Sequence, residues 1–435
     1  MRRVRMGPRS GIPSHLAAVR AATAVSELAA LQALLAPTGK EALEAAQSEA
    51  ANEAEFLPAL QRLSRRFPTP LARSALEQVL LRRRARAKFM NAERMFFTRL
   101  SLEQATAEAV AEYRATRMAG LPRVFDLGCG IGGDSLSLAR RTSVVSVDHD
   151  RITLSLLQAN AGALSLASRV DFVLADLRRV AWRFPPGSGA LFDPSRRMAG
   201  RRARSVEAYD PPLSLLWQWL PSLESLVAKV SPGVRIEEIQ HFDCEIEFIS
   251  LQGELKEAAL WFGSLRSARR RATLLPGPHS FTADDDPELA ITSPRRFLYE
   301  PDAAILRSGL VRPLGMSLGA AQIDATIAYL TSDTLFQSPF VRAYRVLDVM
   351  PFGLKRVRAY LRARGVGKVT VKKRGSAVDT ERFSQSLRLR GEGEASLVLT
   401  RVAGSKVALV VEPIPPQGEG PETRQGSQAT SDVRP

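Results

Sequence analysis

Apolar residues recur every three to four positions through residues 14–118, set in Ala-, Leu- and Glu-rich runs, and this spacing predicts a succession of helices. Breaks are expected near 37–39 and 67–70, where Pro and Gly interrupt the period. Ser101 with Gln104 three places on makes a capping-box pattern for the last helix, and Gly120 with Pro122 gives its stop. From Arg123 the texture changes. Short β-branched runs at 124–127, 144–147, 170–174, 190–192 and 226–230 alternate with helical stretches, which predicts a parallel α/β sheet. Runs at 245–250 and 258–262 flank a short loop and predict a closing antiparallel hairpin. A Pro-, Asp- and Ser-rich stretch follows at 276–294. Beyond it, residues 354–363, 368–372, 380–387, 395–401 and 407–412 read helix, strand, helix, strand, strand. From Ile414 Pro, Gly, Gln and Ser dominate, the composition of a disordered tail. The expected division is a helical part over 1–118, an α/β domain over 119–290, a smaller basic α+β domain over 291–413 and a tail over 414–435.

Charge sharpens this picture. The 435 residues carry 61 Lys or Arg against 45 Asp or Glu, a net +16 that attracts polyanions, nucleic acid first among them. A solvated basic surface without a ligand is the alternative. Residues 342–406 hold 16 basic and 5 acidic residues, so most of the excess lies in one small module. Lys355, Arg356, Arg358, Arg362, Arg364, Lys368, Lys372, Lys373 and Arg374 follow one another with no acid between. A second run, Arg82, Arg83, Arg84, Arg86 and Lys88, reads either as a solvated helix end or as a phosphate contact. Only Cys129 and Cys244 occur, and the four histidines are scattered, so neither a disulfide framework nor a metal-ligand spacing is expected. No apolar run approaches the ~18 residues of a membrane span, and no apolar stretch follows the basic amino terminus. These features predict a cytoplasmic protein without a membrane segment or a metal.

The candidate chemistry begins at Asp126-Leu127-Gly128-Cys129-Gly130-Ile131-Gly132-Gly133, which follows the first strand and opens a helix at Asp134. Glycines there let backbone amides approach a ligand, and the helix amino terminus is electropositive. Gly128, Gly130 and Gly133 also satisfy a dinucleotide fingerprint. Three carboxylates separate the readings. Asp126 lies two places before the first glycine, where it suits an ammonium group and repels a pyrophosphate. Asp148 ends the second strand, in position for ribose hydroxyls, and Asp176 follows the third, in position for an adenine amino group. Asp134 reads as a helix N-cap. A cofactor with an ammonium, a ribose and an adenine but no phosphate fits, and S-adenosylmethionine has that composition. Asp126 to Gly133, Asp148 and Asp176 resemble the first three motifs of class I S-adenosylmethionine-dependent methyltransferases. The resemblance implies that family's seven-stranded sheet, with the methionine moiety against Gly128, Gly130 and Gly132.

The fourth strand ends in Leu191-Phe192-Asp193-Pro194-Ser195-Arg196-Arg197. This resembles the Asp-Pro-Pro-aromatic signature of enzymes that methylate exocyclic amines of bases, although Ser195 replaces the second proline and the aromatic is missing. The resemblance implies that Asp193 and the Pro194 carbonyl accept hydrogen bonds from the target amine. Arg196, Arg197 and Arg201 crowd the following loop and suit a phosphate-bearing substrate. Tyr209, in a second Asp-Pro-Pro context, is a candidate for the missing stacking face. Neither cysteine is positioned as the nucleophile that carbon methylation needs, so N-methylation is favoured. The basic module is similar to THUMP-like domains, RNA-binding modules of RNA-modification enzymes. With Phe297-Leu298-Tyr299-Glu300-Pro301-Asp302 and Met95-Phe96-Phe97, it resembles a bacterial family with a methyltransferase domain and a THUMP-like carboxy-terminal domain. That resemblance implies methylation of a base nitrogen in tRNA or rRNA, guanine being the candidate, with Lys372, Lys373 and Arg374 on phosphates. A small-molecule or protein methyltransferase, and a non-catalytic RNA-binding protein with a vestigial fold, stay open at this point. Met95, Phe96 and Phe97 read as core, the alternative being a lid.

Overall fold

The computed structural model describes residues 26–49, 52–198 and 201–415, except the side chains of 197, 198, 201 and 202. The expected tail at 414–435 lies outside them from residue 416. Two compact units form: residues up to Glu245 with Glu257–Ser267, and Ile246–Lys256 with the chain from Ala268 onward.

In the first unit a helix over 26–35 leads into α1 (Pro37–Glu49), α2 (Phe56–Leu63) and α3 (Thr69–Ala85). Proline starts α1 and occupies the first turn of α3, where its missing N–H is tolerated. An irregular stretch with one short 3-10 turn carries the chain to α4 (Arg99–Gln104) and α5 (Glu108–Arg117). The expected cap therefore shifts. Thr98, not Ser101, caps α4, with Ser101 returning the second bond of the capping box. The helix ends after six residues, and α5 is a separate element.

Met95, Phe96 and Phe97 are core residues in that irregular stretch. Two buried amides replace the missing secondary structure. Gln78 both donates to the Phe97 carbonyl and accepts from its N–H, and Asn160 does the same for Phe96. Asn160 also reaches the carbonyl of Ile131, inside the glycine turn, at 3.4 Å. The core is continuous from the helices to that turn, since Leu60, Leu76, Phe89 and Phe97 cluster with Cys129, Ile131, Leu136 and Leu157.

Three arginines at the end of α3 are engaged within the protein, Arg82 buried and Arg84 at the surface. Arg82 donates to the Met95 carbonyl and lies over the Phe96 ring, Arg83 donates to the Gln47 carbonyl, and Arg84 pairs with Glu53. These cations staple helices together, which accounts for them without a phosphate.

The sheet of this unit comprises β1 (Arg123–Leu127), β2 (Ser143–Asp148), β3 (Val170–Leu174), β4 (Gly189–Phe192) and β5 (Ser225–Val230), parallel, in the order β3-β2-β1-β4-β5. Between these strands lie α6 (Gly133–Ala139) and α7 (Arg151–Ala163). Strands β1, β4 and β5 are buried nearly throughout, so their sequences are apolar runs and not alternations. β6 (Glu245–Leu251) and β7 (Glu254–Gly263) form the expected hairpin, and β7 runs antiparallel to β5. Gln252 and Gly253 turn it with positive φ at both positions, the conformation a two-residue hairpin demands. The division between units passes through this hairpin.

In the second unit β6 pairs in parallel with β8 (Arg270–Leu275), and β8 with the antiparallel β9 (His279–Thr282), so the Pro/Asp/Ser-rich stretch begins as a strand. A seven-stranded sheet follows, built from β10 (Phe297–Pro301), β11 (Ala321–Asp324), β12 (Ile327–Ser332), β13 (Val341–Pro351), β14 (Val366–Lys373), β15 (Gly393–Val402) and β16 (Ser405–Pro413). The order is β11-β12-β10-β13-β16-β15-β14. Helices α8 (Leu354–Ala363) and α9 (Thr380–Leu387) bury Val357, Leu361, Phe383 and Leu387 against one face.

Candidate active site

The carboxyl ends of parallel strands are where α/β sheets bind ligands, and the expected motifs converge there. Gly128, Gly130 and Gly132 all have positive φ, which only glycine adopts without strain. A Cβ on Gly128 would sit 2.6 Å from the Asp193 carbonyl oxygen, and one on Gly132 would run into the Leu157 side chain. A Cβ on Gly130 would meet nothing within 4 Å. The turn is thus pressed against the end of β4 on one side and α7 on another, and open at its middle.

Asp126 is buried at the end of β1. Its Oδ2 accepts from Ser135 Oγ at 2.5 Å, while Oδ1 is buried with no hydrogen-bond partner among the described residues. Burial, with the carboxylate of Asp134 nearby, raises its pKa to about 7. A sealed acceptor lacking a donor fits an incoming ammonium group. Asp148 Oδ2 accepts from the Gly130 N–H at 3.1 Å, tying the end of β2 to the turn, and Oδ1 accepts from the Asp150 N–H. Asp176 is held by Arg178 through a two-point contact at 3.0 Å, which lowers its pKa to about 2. Arg178 also reaches Asp210 at 3.0 Å.

Asp134 does not cap its helix; Gly132 occupies that position, and the Asp134 side chain makes no capping bond. Its carboxylate is instead the hub of a buried cluster that the sequence reading missed. Arg114 from α5 donates to Asp134 Oδ1 from Nε at 2.9 Å and Nη2 at 2.6 Å, and its Nη1 pairs with Glu257 of β7. Asp134 Oδ2 accepts from Thr106 Oγ1 at 2.9 Å and from Lys229 Nζ at 3.1 Å. Lys229 then donates to Asp193 Oδ2 at 2.6 Å. Burial opposes the charges of Asp134, Arg114 and Lys229, yet Arg114 and Lys229 hold Asp134 well below the usual carboxylate range. The same carboxylates raise Arg114 and Lys229, so both stay cationic. The available signals were an arginine amid a helix and a lysine inside the apolar strand Ser225–Val230, neither of which names its partners.

Asp193 is half-buried just past β4, its N–H donating to the Leu127 carbonyl. Pro194 is buried beside it. Ser195 and Asp210 exchange backbone hydrogen bonds at 2.9 and 3.0 Å, so the two Asp-Pro segments lie side by side. Tyr209 does not offer a stacking face. Its ring is 5% exposed, its hydroxyl accepts from the Ser231 N–H, and it fastens this loop to β5. Arg196 is partly exposed; Arg197 and Arg201 lie in a short antiparallel ladder, opposite Arg202 and Met198 respectively, and their side chains lie outside the described residues. In the second unit Lys372 Nζ donates to Glu300 Oε2 at 2.7 Å and to the Tyr344 hydroxyl, and Arg374 lies 3.5 Å from Glu300. Lys373 is exposed and donates to the Val378 carbonyl.

Comparison with known proteins bears on the fold and the family. Residues 341–413 match the THUMP domain-like family, and residues 27–85 match a domain of unknown function. Two proteins of Mycobacterium tuberculosis, from strains CDC 1551 and H37Rv, are each 33% identical over 345 residues, 77% of this chain and 94% of theirs. Both are named uncharacterized S-adenosylmethionine-dependent methyltransferases. A crystal structure of a methyltransferase-designated protein from Porphyromonas gingivalis W83 superposes with a TM-score of 0.66 at 20% identity, over 84% of this chain and 99% of that one. The glycine turn, its sealed carboxylate and the identity to these relatives lead to one conclusion: the chain belongs to the S-adenosylmethionine-dependent methyltransferase family, with class I topology and a THUMP-like carboxy-terminal domain.

Proposed function

We propose that the enzyme methylates an exocyclic or ring nitrogen of a base in RNA, guanine being the candidate base and tRNA or rRNA the candidate molecule. The carrying observation is the Asp193 carboxylate. Lys229 engages one of its oxygens, the other takes no hydrogen bond among the described residues, and the Asp193 backbone lies against Gly128 of the glycine turn. A free carboxylate oxygen beside a buried proline suits an N–H donor and disfavours an anionic carboxyl substrate.

In this reading Asp126 receives the cofactor ammonium, and Gly128, Gly130 and Gly132 permit the close approach of the methionine moiety. Asp148 receives the ribose and Asp176 the adenine amino group, in competition with Arg178. S-adenosylmethionine, when bound, supplies an electrophilic methyl group. Asp193 Oδ1 and the Pro194 carbonyl accept hydrogen bonds from the target amine and direct its lone pair, so catalysis is mainly positioning. Arg196, Arg197 and Arg201 serve phosphates near the reacting base, and Lys372, Lys373 and Arg374 belong to the RNA-facing module. The THUMP-like match and the basic excess over 342–406 support RNA as the substrate class.

The deciding experiment compares modified nucleosides by mass spectrometry in RNA from cells with and without the gene, then offers the undermodified RNA to purified enzyme with labelled methyl donor. One methylated nucleoside should disappear in the deletion and return in vitro. Asp193→Ala should abolish transfer and leave cofactor affinity within about twofold. Labelling confined to small molecules or protein would overturn the RNA assignment.

A further inference from the structure

Lys229 is a charged side chain where a charge is expensive. It lies in β5, a strand buried at every position, and the Lys229 side chain itself is 6% exposed. Several kcal/mol oppose placing an ammonium there unless it is fully paired. It is fully paired: its three N–H donors meet three acceptors, Thr106 Oγ1 at 2.5 Å, Asp193 Oδ2 at 2.6 Å and Asp134 Oδ2 at 3.1 Å. Two of these acceptors are themselves fixed. Asp134 is clamped by Arg114 at two points, and Thr106 donates to Asp134. Only Asp193 has a side chain with an oxygen left over, and Asp193 alone of the three follows a strand whose end meets the glycine turn.

The direction of control follows from this asymmetry. β4 and β5 are parallel neighbours with Phe192 opposite Ala228, so Lys229 is the next residue along, opposite Asp193. The ammonium is anchored from behind by Asp134 and reaches forward to one carboxylate oxygen. Fixing Oδ2 fixes the plane of the carboxyl group, and with it where Oδ1 can accept.

We propose that Lys229 is a positioning residue for methyl transfer: anchored on Asp134 and Thr106, it sets the orientation of the Asp193 carboxylate that receives the target amine. This inference rests on the reading of Asp193 given above. Asp134, Arg114 and Glu257 are its support, and Lys229 acts through Asp193.

Two measurements separate this inference from the RNA assignment. The crystal structure of K229M, compared with wild type, reads Asp193 directly. The carboxylate should leave its position in the variant, while an Asp193 side chain in the same rotamer and equally ordered would overturn the proposal. The second measurement is single-turnover transfer of labelled methyl into undermodified cellular RNA. K229M should slow the rate on the order of a hundredfold with apparent RNA affinity changed less than threefold. The K229M/D193N double variant should be no slower than D193N alone, because coupled residues are non-additive. Losses that add independently would make Lys229 a packing residue and defeat the proposal. K229R keeps the charge and guards against a folding defect in K229M; it should retain at least a tenth of the wild-type rate, and a rate as low as that of K229M in a folded K229R would count against the proposal. If wild type labels no RNA at all, the RNA assignment fails, and the K229M structure decides the role of Lys229.

Discussion

A carboxyl group sealed from water beside a second carboxylate resists ionisation, and Asp126 is held this way at the head of the glycine turn. Burial and Asp134 raise its pKa to about 7, Ser135 and Lys229 oppose the rise, and Asp193 adds to it. If the cofactor ammonium meets Oδ1, binding favours the ionised form and releases a proton wherever the free protein still holds one. Affinity for S-adenosylmethionine should then rise with pH by up to about tenfold per unit below pH 7 and level off near it. Asp126→Asn should weaken binding by about 1 to 3 kcal/mol and flatten this dependence, since its side chain does not titrate. Calorimetry between pH 5.5 and 7 checks both. A wild-type affinity independent of pH, or an Asn variant that keeps the slope, would move the ammonium away from Asp126.

At the scale of elements, two glycines in one turn serve different masters. Gly132 sits at φ 90° with a would-be Cβ on the Leu157 side chain, so Gly132→Ala adds strain of about 1 to 2 kcal/mol. Overpacking at Leu157 adds about 1 to 3 kcal/mol more. Gly130 faces open space, so Gly130→Ala carries only the conformational cost, while its methyl group intrudes on the space left for the ligand. Thermal denaturation with and without S-adenosylhomocysteine should separate them. Gly132→Ala should lower the melting temperature itself, and Gly130→Ala should mainly remove the ligand-induced rise. Equal melting losses would mean that the whole turn is a fold requirement. Most of these elements were legible in the sequence, because strands buried on both faces are continuous apolar runs and α9 carries its own helical period. The region over 295–341 was not. Its strands β10, β11 and β12 are short, and their pairing is decided by distant partners such as β13. The charge cluster was illegible for the same reason: Arg114, Asp134, Lys229 and Glu257 come from four elements, and only the fold brings them together. The Thr98 cap is hidden in the sequence because its third helical position holds Ser101 and not the Glu or Gln of the usual capping box.

At the scale of the whole molecule the net +16 is a weak guide until each cation's partner is known, because long-range attraction for a polyanion is exerted by cations not neutralised nearby. Arg82, Arg83 and Arg84 of α3 are spent on carbonyls and Glu53. In the basic module Lys372 and Arg374 flank Glu300, Lys368 pairs with Glu394, and Arg358 and Arg362 cap the carbonyls of Ser386 and Arg388. Lys368, Lys372 and Lys373 also belong to β14, the edge of the seven-stranded sheet, where lysines discourage pairing with another chain. Lys355 and Arg356, exposed in the first turn of α8, carry no ion pair or hydrogen bond among the described residues. They are the better test of phosphate contact. If the module grips RNA, affinity for unfractionated tRNA should fall steeply with salt, because each neutralised phosphate releases counterions. Replacing Lys355 and Arg356 together with alanine should reduce the slope of log affinity against log salt by about two. Lys372→Ala should reduce it by less than one, since its charge is already matched by Glu300, and should instead lower the melting temperature of the second unit. A Lys372 variant that flattens the slope while the Lys355/Arg356 pair leaves it unchanged would reverse this assignment and put the edge strand β14 on the RNA.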